Sequence, residues 1–451
     1  MAFDLAAVRA QFPILKRRLD VDGLSRPLVF MDHGASTHAP QPVLDAVMDL
    51  HTEHYANIHR GNHQLSMEAS QLFDQAADAF AAFLGADAGP ARGDDTPGCF
   101  VYGSNTTDSL TLASHLMAAD PGAVLTTLAE HHSNDLPHRA RGRVLHTDVD
   151  DEGKVLLDDM EEKLGHHDVK LVAVTGASNV TGYLPPIHRI ARLAHDHGAR
   201  ILVDAAQLYA HAPIDVRADD HPEHIDMLAA AGHKSYAPFG SASLYGPRAL
   251  MDAAPPYKPG GGTVHIVSAE RAWFNRSPER HMGGTPNVTG VVAFAAATQW
   301  LADIGMDAVR RHELDLLRTG MRRFAELEEE YGVRLLGPRD VRDKAGVFSF
   351  LVPGVDHATV SATLSRQYGI ATRNGCFCAQ PLLARLLGLG DVTPWGEAMS
   401  QGAKVELPGA TRATIGIYQQ ESDVHELAHA VGEIATHHPQ PAAARPVVEV
   451  S

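Results

Sequence analysis

Short apolar runs alternate with helical patterns between about residues 98 and 245. The strand candidates are residues 99–102, 124–128, 170–175, 201–204 and 225–230. Between two of them, Ile187, Ile190, Leu193 and Ala194 recur at helical spacing and stop before Gly198, a natural terminator. This order is typical of a parallel sheet covered on both faces. We therefore predict an α/β fold that binds ligands at the carboxyl ends of its strands.

The chain after residue 288 follows a different pattern. Residues 288–331 read as helical, residues 346–352 and 370–372 as strands, and residues 421–436 as a further helix. We interpret this as a smaller α+β domain. The predicted division is residues 20–295 for the large domain, residues 1–19 and 296–438 for the small domain, and residues 439–451, rich in Pro, Ala and Val, as a flexible tail.

Composition narrows the class of protein. The chain has 451 residues, of which 44% are hydrophobic and 21% charged, as in a globular protein with a deep core. A net charge of -17 would repel nucleic acid and anionic membranes, so we expect neither as a partner. The three cysteines, an N-terminus unlike a signal peptide, and the lack of an apolar run of roughly 18 to 20 residues predict a cytoplasmic protein.

An acid and a lysine end two of the predicted strands. Asp204 closes the run of residues 201–204, and Lys234 follows the strand candidate of residues 225–230. Such an acid can keep a pyridinium nitrogen protonated, and such an amine can form a Schiff base with an aldehyde cofactor. Taken singly, Asp204 could be a helix cap and Lys234 an exposed turn lysine. The pair favours pyridoxal phosphate chemistry.

Two other strand ends carry weaker signals. Residues 103–108 form a small-residue turn before a helical pattern, where Thr106 and Thr107 suit a phosphate or are ordinary helix caps. His131, after the strand of residues 124–128, could stack on a coenzyme ring or relay protons. Because histidine pairs recur along this chain, His131 by itself could equally be incidental.

Cys376 and Cys378 form a Cys-x-Cys pair that leaves several interpretations open. The pair could bind a metal, act as a redox pair, or supply one nucleophile, and either thiol could simply be buried as a small apolar group. Further cysteines or histidines do not flank the run. A helix predicted to start near residues 380–381 would favour a thiolate at Cys378.

Residues 425–429 match the zinc-peptidase helix signature. His425 and His429 lie one turn apart, with Glu426 beside the first. On a helical wheel these three residues face away from an apolar side made of Val424, Leu427, Ala428, Val431 and Ile434. A solvated face explains them as well as a metal does, so zinc remains a remote alternative and we expect no metal in the active site.

The ordered motifs together resemble the class V aminotransferase-like cysteine desulfurases, in particular the group of SufS-type enzymes and selenocysteine lyases. The resemblance spans nearly the whole chain. Its motifs are residues 30–36, 59–61, 106–107, 130–132, 178–179, 204–207, 232–234, 284–287, 378–381 and 411–413. It implies PLP fold type I, with a mostly parallel seven-stranded sheet in the large domain and a smaller α+β C-terminal domain.

The resemblance implies how pyridoxal phosphate would be held. Lys234 would carry the cofactor and later move the substrate Cα proton, Asp204 would pair with the pyridine nitrogen, and His131 would stack on the ring. Gln207 would bond to the ring hydroxyl. The phosphate contacts would be Thr106, Thr107, His233 and, from the partner subunit of a homodimer, Thr285.

It also implies the substrate and the route of sulfur. Asn179 and Arg412 would hold the carboxylate of L-cysteine, with His59 and Arg60 near the site across the dimer interface. Cys378 would take the substrate sulfur as a persulfide, release L-alanine, and pass the sulfur to a protein or small-molecule acceptor. Iron–sulfur cluster assembly is a typical use of such sulfur, although the residues leave the acceptor open.

Three departures from the family pattern stand out. Ala231 replaces a common hydroxyl residue, Cys376 and Phe377 stand where two histidines are frequent, and residues 389–408 form a longer segment, which we expect to be a loop near the site. Selenocysteine lyase, or another PLP carbon–sulfur lyase, is the alternative within this fold. A catalytically idle sulfur-relay scaffold is another.

Overall fold

The computed structural model describes residues 3–21, 23–90, 96–437 and 448–449. The helices over those residues are α1 (Leu5–Ala10), α2 (Gln41–Glu53), α3 (Gln64–Leu84), α4 (Thr106–Leu116), α5 (Leu136–Arg139), α6 (Leu157–His166), α7 (Ile187–Asp196), α8 (Arg248–Ala253), α9 (Val288–Ile304), α10 (Met306–Tyr331), α11 (His357–Thr363), α12 (Gln380–Leu387), α13 (Thr393–Ser400) and α14 (Glu421–His437).

The strands fall into one large sheet, one smaller sheet and several two-stranded pairs. They are β1 (Arg18–Val21), β2 (Leu24–Pro27), β3 (Val29–Phe30), β4 (Gly98–Gly103), β5 (Ala123–Thr127), β6 (Val144–Thr147), β7 (Val169–Thr175), β8 (Arg200–Asp204), β9 (Met227–Ala231), β10 (Ala242–Pro247), β11 (Val264–Val267), β12 (Ala272–Phe274), β13 (Arg334–Leu336), β14 (Val347–Leu351), β15 (Ile370–Ala371), β16 (Arg373–Gly375), β17 (Lys404–Val405), β18 (Ala410–Thr414) and β19 (Val448–Glu449).

The large sheet has seven strands in the order β4-β10-β9-β8-β7-β5-β6. Neighbours from β9 to β6 pair in parallel, and β10 runs antiparallel to both β4 and β9. Buried apolar clusters cover both faces of the sheet. The predicted α/β fold with a mostly parallel seven-stranded sheet is confirmed, and the five strand candidates are all strands of it.

The smaller sheet has four antiparallel strands in the order β13-β14-β18-β16. Side chains of α10 and α14 pack with β14 and β18 in a separate buried cluster that includes Phe324, Phe348 and Leu427. This cluster also takes Val29 and Met31 from the N-terminal part of the chain. The small domain therefore has its own core, as the α+β pattern indicates.

The cores divide the chain differently from the predicted boundaries. Val8 and Phe12, which we assigned to the small domain, lie in the core of the large one. Helix α9 stays in that core through Leu301, well past residue 295, because it is apolar on nearly all sides and packs between α2 and α3. The helical run of residues 288–331 is broken only at Gly305, whose φ is +88°.

Two further predictions concern the C-terminus and membranes. Most of the predicted tail of residues 439–451 lies outside the described residues, but Val448 and Glu449 pair antiparallel with β17.

Among the described helices, no single one is both long and apolar enough to cross a membrane. The pair α9 and α10, bent by 76°, meets that test by length and composition only.

Candidate active site

A cavity of about 230 Å³ opens where strands of the large sheet end. Its walls come from the segments that follow β4, β5, β7, β8 and β9. The side chains that line it include Asn105, Thr106, Thr107, His131, Ser133, Thr175, Asn179, Asp204, Gln207, His233 and Lys234. Eight of the thirteen site residues predicted from sequence therefore meet in one cavity, because parallel strands end at the same edge of a sheet.

Asp204 and Lys234 form the charged centre of the cavity. Asp204 is the last residue of β8 and is 4% exposed, and its Oδ1 accepts a hydrogen bond of 2.9 Å from the Ala206 amide. Burial raises the pKa of Asp204 and lowers the pKa of Lys234, and each residue's charge partly offsets the shift of the other. Burial thus shifts both groups towards their neutral forms.

The N-terminus of α4 forms one end of the cavity. Thr106 is its first residue and is 7% exposed, yet its Oγ1 meets no hydrogen-bond partner within the described parts of the chain. Thr107 Oγ1 lies 2.7 Å from Ser133 Oγ. The amino end of this 11-residue helix carries a partial positive charge, and the buried Thr106 hydroxyl there has a hydrogen bond to spare. Such an end fits an anion such as phosphate.

His131 and Glu130 follow β5 at the floor of the cavity. His131 Nδ1 accepts a bond of 3.1 Å from the Ser133 amide, and burial, aided by Lys234, lowers its pKa to about 4. Glu130 accepts bonds of 2.7 Å from Thr127 Oγ1 and Asn134 Nδ2, while burial raises its pKa to about 8. His131 is thus a neutral ring, and both carboxyl oxygens of the neighbouring Glu130 are hydrogen-bonded.

Gln207 and His233 complete the cavity wall. Gln207 Nε2 donates to the Gly34 carbonyl at 2.7 Å, which ties the wall to the N-terminal segment. Burial lowers the pKa of His233 to about 4, and its ring stacks on Phe239 with centroids 5.6 Å apart. Phe239 is 74% exposed, so the cavity borders an open apolar surface.

Arg412 reaches the cavity from the small domain. It lies on β18, is 2% exposed, and donates to the Asn179 carbonyl at 2.8 Å. Its Nη2 lies 3.4 Å from Asp32 Oδ1, and its Nε has no partner in the described chain. Burial lowers the pKa of Arg412 to about 10, so it stays cationic at neutral pH. A buried guanidinium with an unused donor fits a carboxylate.

Cys378 is the exposed residue of a short turn, residues 376–379, which we call the thiol loop. Phe377 and Cys378 have φ values of +56° and +55°, a left-handed conformation that favours glycine. Asn179 Nδ2 donates to the Phe377 carbonyl at 2.7 Å, and the His132 amide donates to the Cys378 carbonyl at 2.7 Å. The Cys378 side chain is exposed and lies close enough to Lys234 and Arg412 to interact electrostatically with both.

The surroundings of the thiol loop differ in part from expectation. Cys376 is half-buried against an apolar cluster with Ala379 and Leu382. The segment of residues 389–408, which we expected to be a loop, contains the helix α13 and the strand β17. Pro394 in the first turn of α13 is compatible with a helix start, which explains why the polar composition misled the prediction.

Three predicted residues lie outside the cavity of the single chain. Thr285 is exposed and lines a different cavity with Lys258. His59 and Arg60 are exposed, and His59 Nε2 bonds to Asp74 Oδ1 at 3.0 Å. These are the residues for which we expect a role across a subunit interface.

The zinc-signature residues lie on the solvent side of α14. His425 and His429 are exposed, and His425 Nε2 lies 3.6 Å from Glu421. The apolar face predicted for this helix is buried, with Val424, Leu427, Ala428, Val431 and Ile434 each at most 3% exposed.

Sequence reasoning missed several residues that shape the site. Asp32 ion-pairs with both Arg412 and Arg373, the latter at 3.0 Å, and so fixes the buried guanidinium. His132 Nε2 accepts from the Gln380 amide at 3.2 Å and caps α12 beside the thiol loop. Both residues stood inside recognised motifs, but their partners are hundreds of residues away.

Known proteins match this chain over most of its length. Residues 29–427 match the family model "Aminotransferase class-V". A cysteine desulfurase of Haloferax volcanii is 33% identical over 445 residues, which cover 95% of this chain and 96% of that protein. A probable cysteine desulfurase of Mycolicibacterium paratuberculosis is 34% identical over 85% of this chain, which spans only 54% of that longer relative.

Solved structures agree with the sequence matches. The apo structure of a cysteine desulfurase from Thermococcus onnurineus has a TM-score of 0.82 and 29% identity over 97% of this chain and 100% of that one. A cysteine desulfurase from Escherichia coli has a TM-score of 0.78 and 28% identity over 97% of this chain and 99% of that one. With this fold and this cavity, the chain belongs to the aminotransferase class V family, among its cysteine desulfurases.

Proposed function

We propose that this protein is a pyridoxal phosphate-dependent enzyme that converts L-cysteine to L-alanine and carries the sulfur as a persulfide on Cys378. We base this on one observation: the buried Asp204 and the half-buried Lys234 share a cavity with the unpartnered hydroxyl of Thr106, beside an exposed cysteine. The membership of the chain in the cysteine desulfurases supports the same reaction.

The cavity fits the cofactor at both of its charged ends. Thr106 Oγ1 and the first amides of α4 would hold the phosphate, with Thr107 and His233 beside it. Asp204 would pair with the protonated ring nitrogen, which relieves the cost of a buried lone carboxylate. Gln207 would bond to the ring hydroxyl, His131 would stack on the ring, and Lys234 would hold the aldehyde carbon.

Bound pyridoxal phosphate supplies an electron sink for a carbanion at the substrate Cα. Lys234 Nζ, whose pKa is lowered by burial, would take the Cα proton. Arg412 would use its free Nε to bind the substrate carboxylate, while the Asn179 carbonyl and Asp32 keep the guanidinium in place. Ser349 Oγ of β14 donates to the Val180 carbonyl, so the small domain also fixes the loop of Asn179.

Cys378 would complete the reaction as the nucleophile. Its Sγ attacks the substrate sulfur, the bond between that sulfur and the substrate Cβ breaks, and the enzyme keeps a Cys378 persulfide while alanine leaves. Hydrogen bonds from Asn179 and His132 hold the backbone of the thiol loop for this attack. Because the Cys378 side chain is exposed, an acceptor can reach the persulfide.

A second copy of the chain would complete the site. The exposed rings of Phe239 and Tyr55 flank the segment that follows Thr285. Asn287 Nδ2 in that segment donates to the carbonyl of Gly240, next to Phe239. Thr289 contacts His51, whose ring stacks on Tyr55. An exposed apolar surface at the border of a cavity is typical of an interface. A dimer there would bring Thr285, His59 and Arg60 towards the neighbouring cavity.

Sedimentation of the purified protein should show a dimer, and the Phe239→Asp variant should be monomeric with reduced activity.

The test is incubation of the cofactor-loaded protein with L-cysteine while alanine and bound persulfide are measured. Cys378→Ser should abolish the persulfide but keep the change in cofactor absorption on adding cysteine. Cys376→Ser is the matched control and should keep both signals. Sulfide release without alanine, or a normal persulfide yield in the Cys378 variant, would contradict the proposal.

A further inference from the structure

Two histidines and an aspartate converge at the amino ends of β8 and β9, the edge of the large sheet opposite the cavity. His195 is on α7, while His224 and Asp226 lie on the segment that leads into β9. One ligand atom from each of the three side chains lies within 4.8 Å of the other two, and all three side chains are half-buried. The reaction proposed above uses none of them.

Backbone carbonyls fix the orientation of both imidazole rings. His195 Nδ1 lies 3.0 Å from the Pro222 carbonyl, and His224 Nδ1 lies 2.7 Å from the His221 carbonyl. Because a carbonyl oxygen only accepts, each Nδ1 carries the hydrogen and each Nε2 faces Asp226, at 3.0 Å and 3.6 Å. Histidines that bind metals are held by their second nitrogen in the same way.

The three side chains carry the ligand atoms of a metal site. The two rings are stacked, with centroids 4.2 Å apart, and the Nε2 atom of each ring lies next to Asp226. Two imidazole nitrogens and a carboxylate oxygen are ligands that Zn²⁺ prefers.

We propose that His195, His224 and Asp226 bind a Zn²⁺ ion, with water as the fourth ligand. Asp226 Oδ2 also accepts from the Ile201 amide at 2.8 Å. The ion therefore ties α7 and the segment before β9 to the first residues of β8. As the far ends of these strands lead into Asp204 and Lys234, the ion stabilises the sheet that carries the cavity and takes no part in the reaction.

The test is Zn²⁺ titration of the full-length, cofactor-loaded protein after chelator treatment, with a chromophoric chelator as competitor. We expect one equivalent of Zn²⁺ whose affinity falls more than about tenfold in His195→Gln and in His224→Gln, because even a lost supporting hydrogen bond costs about that much. Zn²⁺ should raise the Tm of the wild type and leave the Tm of these variants unchanged. His197→Gln, an exposed histidine at the end of the same helix, is the matched control and should bind as the wild type does.

Cobalt substitution separates this cluster from the cysteines. Co²⁺ bound by nitrogen and oxygen lacks the sulfur-to-metal charge-transfer absorption that thiolate ligands produce. The proposal is overturned if the two variants bind Zn²⁺ as tightly as the wild type, which would mean an adventitious ion only. It is equally overturned if the tightly bound Co²⁺ shows sulfur charge transfer that disappears in Cys378→Ser.

Discussion

The cavity is lined mainly by buried and half-buried side chains at the ends of parallel strands, whereas the thiol loop of the small domain leaves the Cys378 side chain exposed. In the cavity, burial shifts the proton affinities of Asp204, Lys234 and His131. In the loop, the left-handed backbone at Phe377 and Cys378 is kept by hydrogen bonds from large-domain residues. Burial thus shifts proton affinities in the cavity where the substrate would bind, and hydrogen bonds orient a thiol that would have to remain accessible to an acceptor.

Removal of the cavity's amine should have the largest effect. We expect Lys234→Ala to lower the rate of alanine formation by at least about 1,000-fold, because it removes the proton-transfer group along with the cofactor's attachment point. Lys16→Ala, at an exposed lysine, is the control and should leave the rate unchanged. A Lys234 variant with more than a tenth of the wild-type rate would show that the cavity does not do the chemistry.

The half-buried histidines of the cavity should make stability depend on pH. Because burial lowers the pKa of His131 and His233 to about 4, the unfolded chain binds more protons than the folded one between about pH 6.5 and 4. The free energy of unfolding should therefore fall as the pH drops through that window, by about 2 kcal/mol per histidine at pH 5.

Urea unfolding at pH 7 and pH 5 measures this loss. His131→Phe should show a smaller loss than the wild type, while His166→Phe, at an exposed histidine on α6, should show the wild-type loss. Equal losses in both variants would mean that His131 is not kept neutral by burial.

The support of the thiol loop should have the smallest effect. We expect His132→Ala to slow persulfide formation by about fivefold, since it removes one hydrogen bond to the first turn of α12, worth about 1 kcal/mol. The cofactor absorption change on adding cysteine should stay as in the wild type, because the cavity is intact. Stopped-flow spectra and persulfide alkylation separate the two steps, and an equal slowing of both would place His132 in the cavity's chemistry instead.

The same contrast explains what the sequence could predict. Asp204, Lys234, His131 and Thr106 follow predicted strands, and strand ends in a parallel sheet meet at one edge, so their convergence follows from the local pattern. The positive φ values at Phe377 and Cys378 follow no local rule, because non-glycine residues adopt them only when distant contacts hold them there. The Asp32 partner of Arg412 is likewise 380 positions away.

The domain boundaries were hard to predict for a related reason. An apolar helix such as α9 can join either of two adjacent cores, and its composition does not say which one. The assignment of Val8 and Phe12 also depends on packing at the junction with Tyr418, far along the chain.

Arg412 and the segment that leads into the thiol loop are neighbours in one sheet, since Arg373 on β16 is paired with Arg412 on β18. The small domain therefore carries both the guanidinium that would hold the carboxylate and the sulfur that would attack. We expect an amino acid with one extra methylene to react more slowly, because its sulfur would be displaced relative to Cys378 while its carboxylate is held by Arg412.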